Sequence, residues 1–159
     1  MFHVSAPNAG TRSFEFASEL PASSEVVWRQ IASAEGINAE LWPIRMHLPR
    51  AVDVLASASE ENARGVLISL LGIVPIDWHW LRLESLAIGQ GFHEVSSSLL
   101  MKRWVHIRTL EPRGDYCTLR DHVELTPRLG ILAGIVAPIY RAVFRRRHRA
   151  LQKHFAMHQ

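Results

Sequence analysis

The sequence predicts an α+β fold in which a curved antiparallel sheet of six to seven strands wraps around one long C-terminal helix. Three observations predict it. From Gly65 to Thr126, short strand-like runs follow one another with connections of a few residues. Neighbours joined so closely pair antiparallel, because parallel strands need a long crossover. After Arg128 the apolar period changes from two to between three and four, marking a helix from about Arg128 to His158. Two short helical segments stand directly after the first strand.

Taken in chain order, residues 1–11 are small and polar and read as a loose lead-in. Arg12 to Leu20 alternates, with Phe14 and Phe16 on one face, as in a half-buried strand ended by Pro21. Ser23 or Ser24 caps a helix to about Ala34, with Val27, Trp28 and Ile31 on its apolar face. Gly36 breaks it, and Asn38 to Trp42 forms a second short helix that stops before Pro43. Ile44–Leu48 and Val52–Leu55 are short strand candidates, and Ser57–Arg64 is a polar turn region. The meander consists of Gly65–Leu71, Ile76–Ala87, Gly91–Ser98, Arg103–Glu111 and Cys117–Thr126. Gly72, Pro75, Gly89, Gly91 and Pro112-Arg113-Gly114-Asp115 supply the turns. In the last helix Leu132, Ile135, Val136, Ile139, Val143, Leu151 and Phe155 form the stripe, Pro138 predicts a kink, and Gly130 and Gly134 permit a close backbone approach. A bent sheet against a helix is often incompletely filled, which is the physical origin of a pocket.

Composition narrows the class. The chain has 159 residues, 48% of them hydrophobic, which suits a single domain spanning 1–159 with its own core. One cysteine, Cys117, precludes an intrachain disulfide. With no basic and apolar leader at the N-terminus, the expected setting is the cytoplasm. The formal charge of +3 is unevenly spread. Seven of the 18 basic residues and none of the 15 acidic ones lie from Arg128 onward, leaving eleven against fifteen before it.

Candidate chemistry follows from strand alternation. Trp104, His106, Arg108 and Leu110 share one strand face; Asp121 shares a face with Leu119, Val123 and Leu125; Glu94 alternates with Phe92. Glu94, His106, Arg108 and Asp121 are therefore expected on one inward surface. Charges in an apolar cavity must pair or neutralise, so pairs such as Asp121 with His106 or Arg108 are expected. Such a cluster either orients the strands, anchors a ligand's polar end, or uses His106 with Asp121 as a general base and Arg108 as an oxyanion partner. Trp78 and Trp80 share a face and are candidate walls for a ligand, with Trp104 as a third and Ile135 and Ile139 on the helix above. Tryptophan equally serves plain core packing. No cofactor fingerprint or metal-site spacing occurs among the nine histidines. Arg145, Arg146, Arg147 and Arg149 read as a solvated helix face or as a contact for an acidic surface. Without interleaved aromatics, nucleic acid is the weaker partner.

These motifs, in this order, resemble the SRPBCC superfamily: START domains, birch-pollen-allergen-like proteins and polyketide cyclase or dehydrase relatives. The resemblance rests on Phe14-Glu15-Phe16 with Leu20-Pro21-Ala22-Ser23 and Val26-Val27-Trp28, on Phe92-x-Glu94, and on Trp104-x-His106-x-Arg108. Leu119-Arg120-Asp121-x-Val123 and the closing Phe144 to Arg147 with Leu151 complete it. Relatives often carry a second histidine where this chain has Arg108. The resemblance implies a helix-grip fold from Phe14 to Phe155 and binding of a hydrophobic or amphipathic small molecule. In some branches it implies cyclase or dehydratase chemistry. The combined reading favours a binding or carrier protein over an enzyme, with an interaction module acting through the basic helix as a third option.

Overall fold

The computed structural model describes residues 10–48 and 63–157. The expected strand Val52–Leu55, most of the lead-in and of the polar turn region, and the helix end at His158 lie outside the described residues. Strand β1 (Arg12–Leu20) leads into helices α1 (Ser24–Ile31) and α2 (Ala34–Leu41). Strands β2 (Ile44–Met46), β3 (Arg64–Leu70), β4 (Val74–Leu81), β5 (Leu83–Ala87), β6 (Gly91–Ser98), β7 (Met101–Arg113) and β8 (Tyr116–Pro127) follow. A 3₁₀ turn, Gly130–Leu132, precedes the long helix α3 (Ala133–Ala156).

The eight strands among the described residues form one curved antiparallel sheet in the order β1-β8-β7-β6-β4-β3-β2, with β5 also paired to β6. One strand was expected over Ile76–Ala87, but it divides between Leu81 and Leu83, and β6 serves both halves. Register does the functional positioning. Glu94 lies opposite His106, and Arg108 lies opposite Asp121.

Local chemistry explains several boundaries. Helix α2 begins four residues before the expected Asn38, because the Ser33 hydroxyl accepts from the Gly36 N–H at 3.0 Å and caps it. Gly36 does not break the chain; a Cβ there would lie 1.8 Å from the carbonyl oxygen of Gln30, so α1 and α2 meet only over a glycine. Helix α3 is continuous over 24 residues with Pro138 inside it. The carbonyl that Pro138 deprives of a donor is that of Gly134, in the first turn. Gly130 and Gly134 were expected to permit close approach, yet both face open space.

The sheet's concave face and α3 enclose two apolar clusters. One gathers Leu20, Val27, Trp28, Leu119, Leu151 and Phe155 beneath α1. The other gathers Phe14, Met101, Trp104, Val123, Leu125 and Phe144 toward the start of α3. The inward positions between them are ionic. Asp121 lies between Leu119 and Val123 on β8, and Arg108 lies between His106 and Leu110 on β7. On α3, Arg147 and His148 lie between Phe144 and Leu151.

Gly91 gives the tightest constraint on this arrangement. Its φ is +149°, and a Cβ would fall 2.1 Å from the carbonyl oxygen of Arg108. Gly91→Ala should therefore cost more than the roughly 1–3 kcal/mol of backbone strain alone, since β7 must also move. Urea unfolding checks this; a loss under about 1 kcal/mol would show that β6 and β7 are less closely apposed.

Candidate functional site

A cavity of about 330 Å³ opens between the sheet and α3. Ile37 and Leu41 of α2, Ile44 and Met46 of β2, and Leu81 of β4 wall one side. Phe92, Trp104, Val136, Val143 and Phe144 wall the other. Ile76, Leu100 and Ile139 line it while remaining substantially exposed, so they mark its mouth. Its polar lining consists of Asp77, His79, Glu94, His106, Arg108, Tyr140 and Arg147.

Five of these groups, His79, Glu94, His106, Arg108 and Arg147, belong to a continuous buried belt. Arg108 is 1% exposed. Its Nε and Nη2 donate to the two oxygens of Asp121, each at 2.7 Å, and its Nη1 donates to Glu40 at 3.1 Å. Glu40 also accepts from Arg147 Nε and Nη2 at 3.1 and 3.0 Å. Asp121 takes two further bonds, from His106 Nε2 at 2.8 Å and from His148 Nε2 at 3.0 Å. His148 Nδ1 meets the Ser18 hydroxyl at 2.8 Å. Glu94 bonds His79 at 2.8 Å and stands 3.8 Å from His106 Nδ1. The belt thus joins β1, α2, four strands' worth of sheet and α3.

Its electrostatics follow from burial and pairing. Burial by itself would push the carboxyls of Asp121 and Glu94 up. Arg108 and His106 more than reverse this for Asp121, and His106 and His79 do so for Glu94, so both lie well below the usual carboxylate range. Arg108 is buried too, yet Asp121 and Glu40 hold its proton more tightly than in water. Arg147 goes the other way: burial and the neighbouring Arg108 weaken its proton, with Glu40 opposing. Three carboxylates stand against two guanidiniums, and His106 has a carboxylate facing each ring nitrogen.

The sequence model of the family described as "Domain of unknown function (DUF8410)" matches residues 18–155. The chain belongs to this family. No curated protein matches the DUF8410 chain significantly in sequence. Among solved structures it is similar to the Zhui aromatase/cyclase from Streptomyces sp. R1128, with TM-score 0.69 and 10% identity over 92% of this chain and 94% of that one. It is similar to a START superfamily protein from Mycobacterium smegmatis, with TM-score 0.67 and 11% identity over 92% and 99%. It is also similar to the protein CV1439 from Chromobacterium violaceum, with TM-score 0.69 and 13% identity over 91% and 97%. The fold these structures share with it is the helix-grip fold, a curled antiparallel sheet closed on a long C-terminal helix. Among the described residues of the DUF8410 chain, no helix is long and apolar enough to cross a membrane, and no group of three or more His, Cys, Asp or Glu side chains is arranged to hold a metal ion.

The structure brings Glu94, Trp104, His106, Arg108 and Ile139 to the cavity wall. Asp121 lies one layer behind, bonded to His106 and Arg108. Trp78, Trp80 and Ile135 do not line the cavity. The register shift opposite Ile76, between Ile68 and Ser69, turns Asp77, His79 and Leu81 inward and the two tryptophans outward. Ile135 is 64% exposed, although its neighbour Val136 lines the cavity. Arg147 is not on the solvated helix face with Arg145, Arg146 and Arg149; it is buried against Glu40 and stacked on Phe144. Its position four after Val143 and four before Leu151 continues the apolar stripe, the signal that could have placed it. Glu40, His79, His148 and Tyr140 were also missed. Cys117 is fully buried, and burial pushes its thiol up, as suits a core residue.

Two outcomes are expected. Asp121→Asn leaves Arg108 short of a buried counter-charge and should cost about 3–5 kcal/mol in urea unfolding. Because the Asp121 carboxyl is depressed in the folded protein, its stabilisation is present above the ordinary carboxylate pKa of about 3.9 and fades as pH falls through and below it. The asparagine variant should show a shallower loss of stability below about pH 4 than the parent. Tyr140 is pushed up to about 12, by burial first and then by the Asp77 and Glu94 carboxylates. The ultraviolet difference titration of parent minus Tyr140→Phe should show no tyrosinate below about pH 11; ionisation near pH 10 would place the hydroxyl in water.

Proposed function

We propose that the chain, as a single domain, is a binding or carrier protein for a hydrophobic molecule with one polar end, held between the sheet and α3. The carrying observation is the cavity itself: about 330 Å³, walled by aliphatic and aromatic side chains, with charged groups gathered on one part of its wall. Ligand sites run from about 300 to 1,000 Å³ and combine apolar walls with a few placed polar groups. The ligand's chain lies against Ile37, Met46, Leu81 and Val143, and its polar end meets the free edge of Arg147, beside His106 and Glu94. The fold shared with a START superfamily protein is in keeping with this reading.

A cyclase- or dehydratase-like enzyme is the second reading, favoured by His106 lining the cavity with Asp121 behind it. Binding has the better support. Both nitrogens of His106 face carboxylates, and Arg108 spends its three donor nitrogens on Asp121 and Glu40, leaving neither group free to serve a reacting oxygen. The lone buried cysteine, Cys117, is in keeping with a cytoplasmic setting.

Native mass spectrometry of protein purified without denaturant should show a retained apolar mass, released on unfolding. In parallel, a fluorescent apolar probe should bind the emptied protein, and Ile76→Trp at the mouth should weaken that binding by about tenfold or more, the loss of roughly 1.4 kcal/mol. An unliganded protein that binds no probe contradicts the proposal. Turnover of an added polyketide-like substrate that His106→Ala abolishes, with affinity kept, would move the reading to the enzyme.

A further inference from the structure

Topology collects one end of the molecule from several separate segments. β2, β7 and β1 start there, β3, β6 and β8 finish there, and α3 begins there. Of the seventeen large apolar side chains exposed among the described residues, twelve lie at this end. Trp42 precedes β2; Leu70, Leu71, Ile73, Val74 and Ile76 belong to the β3–β4 hairpin. Leu99 and Leu100 form the β6–β7 turn, Leu129 and Ile131 the link into α3, and Ile135 and Ile139 its first two turns. Three hydrogen bonds tie these segments together: Leu71 N–H to Pro43 O at 2.7 Å, Leu99 N–H to Trp78 O at 3.2 Å, and Arg128 N–H to Leu100 O at 3.0 Å.

The cavity mouth opens at this same end, since Ile76, Leu100 and Ile139 both line the cavity and face outward. Leu71 holds a left-handed φ of 56° with half its surface exposed, a backbone position where glycine or asparagine would sit more easily. Among the described residues, the exposed charges flanking this apolar ring are basic. Arg12, Arg45, Lys102, Arg103, Arg128 and Arg141 are exposed around the apolar ring. The carboxylates nearest in sequence are committed: Glu40 and Asp77 are buried, Asp77 accepting from the Trp78 and Leu100 N–H groups, and Glu15 and Glu124 both bond His122.

We propose that this end docks on an anionic phospholipid bilayer, with the aliphatic ring entering the headgroup boundary and the arginine and lysine side chains meeting lipid phosphates. Branched aliphatics with a basic surround and one tryptophan fit a bilayer interface, whereas protein interfaces favour tyrosine, methionine and arginine at a shared core. A second copy of this chain would set six positive charges against six. Docking here brings the mouth against the lipid, so an apolar ligand passes between membrane and cavity without crossing water. That last step rests on the binding function proposed above; the docking itself does not.

The test is flotation with vesicles of phosphatidylcholine alone and of phosphatidylcholine with one-third phosphatidylglycerol, at low and high salt. The parent should float with the anionic vesicles, less so at high salt. Leu99→Asp with Ile131→Asp, at positions 61% and 86% exposed, should fold normally and lose flotation. Lys102→Glu with Arg103→Glu should weaken it by about tenfold or more, from roughly 1 kcal/mol per basic residue. No flotation of the parent at low salt, or flotation that survives Leu99→Asp with Ile131→Asp, overturns the proposal. So does a concentration-dependent dimer that the same pair dissolves, or saturable binding to an acidic protein with no affinity for vesicles. Titrating the apolar probe without vesicles separates the two claims: a protein that binds probe but never floats loses only the docking, and one that floats but takes no probe loses only the pocket.

Discussion

Everything in this fold is arranged around one buried guanidinium. Arg108 extends from the middle of the sheet with 1% of its surface exposed, and two carboxylates from different elements close on it. Moving a charge of that kind out of water costs several kcal/mol before any pairing. The cost obliges α2 to bring Glu40, β8 to bring Asp121, and α3 to bring Arg147 and His148. The helices are therefore seated on the sheet by ionic geometry as well as by apolar contact. Apolar clusters alone would tolerate sliding; a bidentate pair fixes register and rotation together.

A buried ionic belt is weak evidence for stability as such, because well-packed apolar side chains of similar volume often serve as well or better. Its position suggests another use. The belt crosses the concave face where an apolar cavity ends, and it presents one flank of His106, Glu94 and Arg147 to that cavity. The proposed ligand site is thus apolar along most of its wall and ionic at one place. The saturation of Arg108 and His106 by carboxylates is what tilts the reading toward holding a molecule rather than transforming it.

Much of this was legible in the sequence because alternation on β7 and β8 is regular. Trp104, His106 and Arg108 share an inward face over residues with no bulge between them, and Asp121 sits among Leu119 and Val123. Pairing of the four predicted charges followed from the physics of burial. The failures have equally local causes. On β4 a register shift reverses the phase, and alternation read across it sent Trp78 and Trp80 inward in place of His79. On α3 a run of arginines looked uniformly solvated, although the helical period sets Arg147 on the buried stripe and leaves Arg145, Arg146 and Arg149 outside. Glu40 gave no signal, because its partner Arg108 is 68 residues away and only the tertiary fold brings them together.

The central claim is that the belt exists to serve the cavity. Replacing Glu40 with leucine and Arg147 with methionine removes one negative and one positive charge together; it leaves the bidentate Arg108–Asp121 pair in place while Arg108 Nη1 loses its Glu40 acceptor. Apolar-probe affinity and retained ligand mass, measured on this double variant beside its urea unfolding curve, test the claim directly. The expected result is stability within about 1–4 kcal/mol of the parent, on either side, together with loss of the retained native ligand. A folded double variant that keeps that ligand at parental occupancy would contradict it.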